Sequence, residues 1–323
     1  MEILVRVERL KKYFHQEKPF GLTSRAEIVR AVDDISFDIS EGESFGLVGE
    51  SGSGKSTTGR LILGLMSGSG HVYFRGRDIF ELNKEELRKL RREMQIIFQD
   101  PYSSLNPRRT VGETIEEALE IHGLFPDKVK RQQRVLDLLE NVGMRRPEYM
   151  HRYPHEFSGG QQQRIGIARA LAVEPKFIVA DEPVSSLDVS IQAQILNLLK
   201  KLQKDLQLTY LVIAHNLGVI RYVCDRVAVM YLGKLMEIAP VETLFTSPGH
   251  PYTRALMSAV PVPNPDIKRE EIVLSGDVPS PVNPPSGCRF HTRCYLRRAW
   301  CESHEPEFRE RQRGQLVACP FSE

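Results

Sequence analysis

The chain has 323 residues, of which 41% are hydrophobic and 27% are charged, and this length allows two domains. Its 44 basic and 42 acidic side chains leave a formal net charge of +2, which argues against a nucleic-acid-binding protein because those carry an excess of Lys and Arg. No stretch approaches the roughly 18 consecutive apolar residues of a membrane span, and the N-terminus lacks the apolar core of a signal peptide. We therefore expect a soluble, intracellular protein.

Short apolar runs alternate with longer amphipathic stretches up to about residue 240, which predicts an α/β fold with a mainly parallel sheet. Near the N-terminus, residues 28–32 and 35–39 predict two antiparallel edge strands with a turn at Asp34, and a polar insertion precedes them at about residues 15–27. Three fully apolar runs predict strands that helices bury on both faces: residues 45–48, 177–180 and 211–214.

Helices are predicted between these strands. A mixed-charge helix covers residues 85–93, and its interleaved charges favour a solvated face over a binding patch. Two amphipathic helices follow between Asn106 and Gly143. The apolar face of the second is assigned to the core, with Val135, Leu138, Leu139 and Val142.

The composition changes after Ala239. Ten of the twenty prolines fall between Pro240 and Pro285, which excludes a long helix or a central strand there. The remaining tail is too short to form a sizeable core of its own, so we expect a cross-link between its side chains to stabilise it.

A phosphate-binding loop is the strongest local signal. Residues 49–56 read Gly-Glu-Ser-Gly-Ser-Gly-Lys-Ser, directly after a predicted buried strand and directly before a predicted helix. Glycines allow main-chain N–H groups to surround phosphate oxygens on a tight curve. In this pattern Lys55 binds the β- and γ-phosphates, Ser56 offers a hydroxyl to Mg²⁺, and the helix contributes its positive N-terminal dipole.

Two carboxylates follow the apolar run at 177–180. Asp181 suits the shell of a phosphate-bound Mg²⁺, and Glu182 is placed to accept a proton from attacking water. His215 ends the run at 211–214 and can donate a hydrogen bond to a transferred phosphoryl group. Because ligands bind outside the carboxyl ends of parallel strands, Gly49, Asp181 and His215 are expected at one sheet edge.

A second helix start also has the character of an anion site. Ser158 is a good N-cap, and Gly159 and Gly160 leave the first N–H groups of the helix uncovered before Gln161. Taken by itself, this segment favours an ordinary turn and helix cap over an anion site.

Four of the five cysteines lie in the last 36 residues, at positions 288, 294, 301 and 319. A disulfide framework does not suit a reducing compartment, so this group indicates a metal site or inert thiols. The spacing lacks the paired C-x2-C units of zinc ribbons, and His291 and His304 are alternative ligands. Cys224 is interpreted as an ordinary buried residue.

Taken together, these segments resemble the nucleotide-binding subunit of ABC transporters, in the same order over about residues 3–260. The resemblance implies a P-loop NTPase ABC cassette with a mainly parallel core sheet, an antiparallel β subdomain, a helical subdomain and a small cysteine-containing C-terminal extension. The implied domains are the ATP-binding domain at 1–245, with its helical signature subdomain at about 100–170, a proline-rich linker at 246–285 and the four-cysteine extension at 286–323.

The resemblance also assigns roles to residues. Tyr13 stacks on adenine, Gln99 is the Q-loop glutamine, Glu182 is the catalytic glutamate and His215 the switch histidine. Mg²⁺ is assigned to Ser56, Gln99 and Asp181. The remaining ATP contacts are Gly49, Ser51, Gly52, Ser53, Gly54, Lys55, Ser56 and Thr57 of Walker A, Ser158, Gly159, Gly160 and Gln161 of the signature motif, and Asp188 of the D-loop.

In this family two cassettes dimerise head to tail, so that the signature motif of one closes over the ATP bound by the other. The implied partners are a homologous ATPase subunit, as a heterodimer or, in isolation, a homodimer, two transmembrane permease subunits and, indirectly, an extracytoplasmic solute-binding protein. The implied location is peripheral, on the cytoplasmic face of the inner membrane.

Residues 98–108, 151–157 and 249–254 resemble the dipeptide and oligopeptide importer branch, as does the tail from Gly287 to Pro320, and the early insertion resembles its second ATPase subunit. This implies an ATPase that powers uptake of di- and oligopeptides. The alternatives are the same role for nickel or oligosaccharides, and a soluble ABC regulatory protein outside transport. Relatives in this branch hold a [4Fe–4S] cluster, which would use Cys288, Cys294, Cys301 and Cys319; zinc or free thiols are the alternatives.

Overall fold

The computed structural model describes residues 2–16, 27–260 and 271–322. These form two compact units, the first made of residues 1–40, 45–80 and 214–323 and the second of residues 41–44 and 81–213. Among the described residues, no helix combines the length and the apolar character needed to cross a membrane.

The N-terminal part of the first unit begins with long strands. In chain order its elements are β1 (Ile3–Gln16), β2 (Glu27–Ser40), β3 (Ser44–Val48), α1 (Lys55–Ile62), β4 (Ser69–Phe74) and β5 (Arg77–Asp78).

The second unit is mainly helical around short strands. Its elements are α2 (Lys84–Leu90), β6 (Met94–Ile97), α3 (Pro101–Ser104), α4 (Val111–Ile121), α5 (Lys128–Asn141), 3₁₀ turns at Pro147–His151 and Pro154–Glu156, α6 (Gly159–Leu171), β7 (Phe177–Asp181), α7 (Val189–Leu206) and β8 (Thr209–Ala214).

The chain then returns to the first unit. It adds α8 (Leu217–Val223), β9 (Arg226–Tyr231), β10 (Lys234–Pro240), α9 (Val241–Thr246), α10 (Pro251–Ser258), a 3₁₀ turn at His291–Arg293, α11 (Trp300–Ser303), β11 (Arg309–Gln312) and β12 (Gln315–Val317).

The first unit contains both antiparallel and parallel strand pairing. Strands β2, β1, β4 and β5 are neighbours in that order in an antiparallel sheet. In the other sheet β11, β12, β10 and β9 pair antiparallel, and β9 pairs parallel to β3. The predicted antiparallel β subdomain is therefore confirmed.

The strands of the second unit are parallel. Strand β7 lies between β6 and β8, with Ile178 opposite both Gln95 and Tyr210. Strands β7 and β8 are buried along their whole length, as their apolar runs predict.

The two helices predicted between Asn106 and Gly143 are α4 and α5, and all four predicted core residues are buried: Val135, Leu138, Leu139 and Val142.

The predicted turn at Asp34 is wrong. Strand β2 runs through this position as one strand paired with β1. Between the pairs Leu10–Ile35 and Lys12–Val32, β2 has one more residue than β1, and Asp34 adopts a φ of 62°. The extra residue is thus a β-bulge, which an aspartate at positive φ can occupy without ending the strand.

The polar insertion lies largely outside the described residues, although its ends are placed. Strand β1 continues to Gln16 and β2 begins at Glu27, so both flanks are extended and paired.

The predicted mixed-charge helix is α2, which Asn83 caps by accepting from the N–H groups of Glu85 and Glu86. It ends at Leu90, a little earlier than expected.

Within residues 241–260 and 271–322, the C-terminal region contains only short helices, as its prolines predict. Strand β12 pairs with β10 through Glu237–Val317 and Ile238–Leu316, so the tail belongs to a sheet of the first unit. The domain limits at residues 245 and 285 remain predictions.

A buried histidine links the end of this sheet to α10. His250 is 1% exposed and caps α10, with its Nδ1 accepting from the N–H of Tyr252 at 3.1 Å. The backbone N–H of His250 donates to the buried carboxylate of Glu237 at 2.8 Å. Burial, with the nearby charge of Arg254, lowers the pKa of His250 from 6.5 to about 3.

We expect His250 to make the protein less stable in mild acid. Between pH 6.5 and about 3 this histidine is protonated in the unfolded chain but not in the folded protein, so the free energy of unfolding falls as the pH falls. Between pH 7 and 5 this group should lower the free energy of unfolding by about 2 kcal/mol. The His250→Asn variant keeps a capping acceptor and should lose that part of the pH dependence in urea denaturation. An identical pH dependence in both proteins would contradict the assignment.

Candidate nucleotide-binding site

The loop from β3 to α1 has the conformation that a phosphate site requires. All residues of β3 are buried, and α1 begins at Lys55 with Gly54 as its N-cap at a φ of 108°. A Cβ atom at Gly54 would lie 2.1 Å from the carbonyl oxygen of Ala31 and 2.7 Å from Cε of Met230. Only glycine therefore allows the loop to pass this close to β2.

Lys55 is folded onto this loop. Its Nζ donates to the carbonyl oxygens of Gly49 at 2.8 Å and Glu50 at 2.9 Å, and to Oγ of Ser53 at 3.4 Å. The side chain is buried, and no side chain caps the N-terminus of α1. A cation and a helix N-terminus thus lie at the same loop, which is an arrangement that binds phosphate. Ser56 and Thr57 follow in the first turn of α1 and are half-buried.

The predicted adenine-binding tyrosine belongs to an ionic cluster. Tyr13 is 37% exposed, and its hydroxyl donates a hydrogen bond to Asp33. The guanidinium of Arg30 lies over the ring, 5.7 Å from its centre. Burial and the neighbouring Asp33 raise the pKa of Tyr13 to about 12, so the phenol stays protonated and acts as a donor.

Asp33 connects Tyr13 to the far end of the chain. Its Oδ2 accepts from Nη2 of Arg289 at 2.5 Å, and Nζ of Lys234 lies 3.9 Å from the same oxygen. Burial favours a higher pKa, but the hydrogen bond from Tyr13 and the charges of Lys234 and Arg289 lower the pKa of Asp33 below its usual value. Asp33 is therefore a carboxylate at neutral pH.

Glu50, inside the phosphate-binding loop, is also held by a hydrogen bond and an ion pair to residues far along the chain. Its backbone N–H donates to the hydroxyl of Tyr252 at 3.0 Å. Its carboxylate accepts from Nη1 of Arg293 at 3.1 and 2.8 Å, and Arg293 also lies 3.5 Å from the hydroxyl of Tyr231. Sequence reasoning missed these contacts, because the partners lie 202 and 243 residues apart and nothing in the local sequence pairs them.

In the second unit, the predicted catalytic glutamate meets the predicted Q-loop glutamine. Asp181 ends β7 and is 3% exposed. Glu182 follows at a φ of 47°, with its N–H bonded to the carbonyl of Ile213 at 2.9 Å. Nε2 of Gln99 donates to Oε2 of Glu182 at 3.0 Å. The structure thus brings together Gln99 and Glu182, which are 83 residues apart in the sequence.

The predicted signature segment caps α6. Oγ of Ser158 accepts from the N–H of Gln161 at 3.4 Å, and Oε1 of Gln161 accepts from the N–H of Ser158 at 3.0 Å. A Cβ atom at Gly160 would lie 2.5 Å from Cγ2 of Ile191 on α7. Gly160 is therefore needed for packing between two helices, while Ser158 and Gly159 remain exposed.

The remaining predicted residues also occupy helix starts or strand ends. Asp188 caps α7 by accepting from the N–H of Ile191 at 3.0 Å, and Ser190 Oγ donates to it at 2.7 Å. These bonds lower the pKa of Asp188. His215, in the first unit, directly follows β8 and is exposed.

The four C-terminal cysteines form one group without disulfides. The N–H of Cys288 donates to the carbonyl of Cys301 at 2.9 Å. Burial, together with the neighbouring Cys301, Cys294 and Cys319, raises the pKa of the Cys288 thiol to about 12. Burial likewise raises the pKa of Cys294 to about 11.

Comparison with known proteins identifies the family. The ABC transporter family model matches residues 32–185, and the model of the oligopeptide/dipeptide transporter C-terminal region matches residues 236–301. The putative oligopeptide transport ATP-binding protein YkfD of Bacillus subtilis is 52% identical over 98% of this chain and 94% of its own length. The oligopeptide transport ATP-binding protein AppF of the same organism is 50% identical over 98% of this chain and 97% of its own length.

Solved structures agree. The dimeric post-hydrolysis structure of the ATP-binding cassette MJ0796 with ADP and Pi has a TM-score of 0.65 and 30% identity, covering 73% of this chain and 98% of that one. CbiO1 of Clostridium perfringens, part of an ABC transporter complex, has a TM-score of 0.65 and 26% identity over 76% of this chain and 92% of that one. The chain therefore belongs to the ABC transporter ATP-binding proteins, in the branch that carries the oligopeptide/dipeptide transporter C-terminal region.

Proposed function

We propose that this chain hydrolyses ATP to power uptake of oligopeptides and dipeptides through a membrane permease. The observation that carries this proposal is Lys55, buried on the carbonyl oxygens of Gly49 and Glu50 at the start of α1. The substrate class is inferred from the C-terminal region, which is the part shared with the oligopeptide/dipeptide branch, and from the names of the relatives.

Each predicted residue then has a role in the reaction. Lys55 and the N–H groups of residues 49–57 bind the phosphates. Ser56, Gln99 and Asp181 would hold Mg²⁺ through hydroxyl, amide and carboxylate oxygens, which are the donors that this ion prefers, and the ion would neutralise phosphate charge during transfer. Glu182 accepts the proton of the attacking water, while His215 donates a hydrogen bond to the transferred group and Tyr13 stacks on adenine.

We further propose a head-to-tail dimer with a homologous ATPase subunit. Ser158, Gly159, Gly160, Gln161 and Asp188 would contact ATP held by the phosphate-binding loop of the other subunit. The exposure of Ser158 and Gly159 at the start of α6 supports this role. Two permease subunits would hold the dimer at the cytoplasmic face of the inner membrane, and a solute-binding protein outside would deliver the peptide.

The cysteine group is proposed to hold a [4Fe–4S] cluster. Four thiols converge in a segment of the tail, and burial raises the pKa of three of them, Cys288, Cys294 and Cys319. The cationic core of a cluster would stabilise the thiolate form of its ligands. The ligands of this cluster would be Cys288, Cys294, Cys301 and Cys319.

Replacing Glu182 by Gln should abolish turnover while ATP still binds. The amide cannot accept the proton, but it can still accept the hydrogen bond from Gln99, so we expect ATPase activity to fall at least about a hundredfold. The same variant, reconstituted with its permease and binding protein in vesicles, should fail to import a labelled oligopeptide that the wild type imports. Glu140→Gln, an exposed change on α5, is the control. Import of nickel or an oligosaccharide instead of peptide would refute the substrate class.

Replacing Ser158 by Arg should block dimer closure without weakening binding by the same chain. A bulky cation at this cap would obstruct the opposite nucleotide, so ATPase activity should fall at least about tenfold, the effect of about 1.4 kcal/mol. Thr110→Arg is a matched control, because Thr110 caps α4 with the same capping box and its loss costs a similar stability. Equal loss of activity in both variants would refute the dimer role.

Anaerobic purification should yield brown protein with about four iron and four sulfide per chain. Cys301→Ser should lose the iron, whereas Cys224→Ser should keep it, although both cysteines are 8% exposed. Colourless protein that contains zinc would refute the cluster.

A further inference from the structure

The tail segment at residues 286–323, here called the cysteine segment, packs on the nucleotide-binding part of the first unit. Its largest buried side chain, Phe290, is 0% exposed and lies 5.3 Å from the ring of Tyr231 and 5.2 Å from that of Tyr252. Tyr252 is the residue that accepts from the N–H of Glu50. The segment is thus anchored next to the phosphate-binding loop.

Arg293 joins this segment to the loop through an ion pair that is largely shielded from water. Its side chain is 10% exposed and that of Glu50 is 25% exposed, and one nitrogen reaches both carboxylate oxygens. Burial lowers the pKa of Arg293, but the bonds to Tyr231 and Glu50 raise it overall. Because an unpaired Glu50 carboxylate would repel an incoming triphosphate, Arg293 also removes an electrostatic penalty on nucleotide binding.

Arg289 makes a corresponding contact on the adenine side. The side chains of Arg289 and Asp33 are 7% and 8% exposed, and Asp33 is also the acceptor for the hydroxyl of Tyr13. Each arginine directly adjoins a cysteine in the sequence, Arg289 next to Cys288 and Arg293 next to Cys294. Ordering the cysteines therefore also orders the two arginines.

We propose that Arg289 and Arg293 are positioning residues through which the cysteine segment pre-organises the nucleotide site, at its phosphate end and at its adenine end. Arg293 holds the phosphate-binding loop by Glu50, and Arg289 holds Asp33 and, through it, Tyr13. The proposal rests on ATP binding at this loop, as in the proposed function. Because coupling between two parts is reciprocal, bound nucleotide also stabilises the cysteine segment.

The test compares single variants of the full-length protein. Arg293→Gln should weaken binding of a fluorescent ATP analogue about tenfold and raise the KM for ATP while kcat changes less than twofold. Arg293→Lys, which keeps the charge, should recover part of the affinity. Arg297→Gln is the matched control, because Arg297 lies in the same segment but pairs only with exposed Glu302 among the contacts described, and it should bind within twofold of the wild type.

A double-variant cycle separates positioning from general destabilisation. Combining Glu50→Gln with Arg293→Gln should weaken binding less than the two single effects multiplied, since both remove one contact. Hydrogen exchange gives a second readout: ATP analogue should slow exchange of amides 286–304 in the wild type and in Arg297→Gln, but much less in Arg289→Gln and Arg293→Gln.

Two results would overturn the inference. One is an Arg293→Gln variant that binds the ATP analogue as tightly as the wild type. The other is a double variant whose loss of affinity equals the product of the two single losses. If the wild type itself binds no ATP, the proposed function fails together with this inference, whereas normal wild-type binding with unaffected variants refutes this inference alone.

Discussion

The close approach of the phosphate-binding loop to β2 is the constraint on which the nucleotide site of the first unit depends. At Gly54 no side chain fits between the loop and the carbonyl of Ala31. Nearby, the N–H of Asp33 donates to the carbonyl of Gly233 and the N–H of Gly233 donates to the carbonyl of Ser53, both at 2.9 Å. Backbone hydrogen bonds thus join β2, the turn before β10 and the loop before any side chain contributes.

This backbone arrangement places two largely buried carboxylates, Asp33 and Glu50, beside the proposed nucleotide site. A desolvated carboxylate is costly unless it is paired, and removing one partner of a buried ion pair is typically more destabilising than the pair is stabilising. The chain supplies the partners from its tail, with Arg289 and Arg293. The tail therefore adds close cationic partners to both carboxylates, at Asp33 in addition to the nearby Lys234 and the hydroxyl of Tyr13.

The sequence predicted features that depend on local chemistry. The glycines and Lys55 of the loop, the fully apolar strands β7 and β8, and the cap at Ser158 follow from backbone sterics and hydrogen bonding within a few residues. The bulge at Asp34 was mistaken for a turn because an aspartate at positive φ suits both, and only the pairing with β1 distinguishes them. The contacts of Arg289 and Arg293 could not be predicted, since they join the C-terminal tail to β2 and to the phosphate-binding loop, more than two hundred residues earlier in the chain.

The start of α6 shows that a structural and a functional interpretation of one residue are compatible. Ser158 caps its helix by using an oxygen lone pair to accept from the N–H of Gln161, at the rather long distance of 3.4 Å. A hydroxyl group also has one proton to donate, and a phosphate is an acceptor, so the contact to ATP proposed above would use the other part of the same group. Asp188 differs, because a carboxylate can only accept. It caps α7 at 3.0 Å. Asp188 would therefore not bond phosphate directly, and it would contribute to an ATP site through a ribose hydroxyl, through a water or by fixing the geometry of α7.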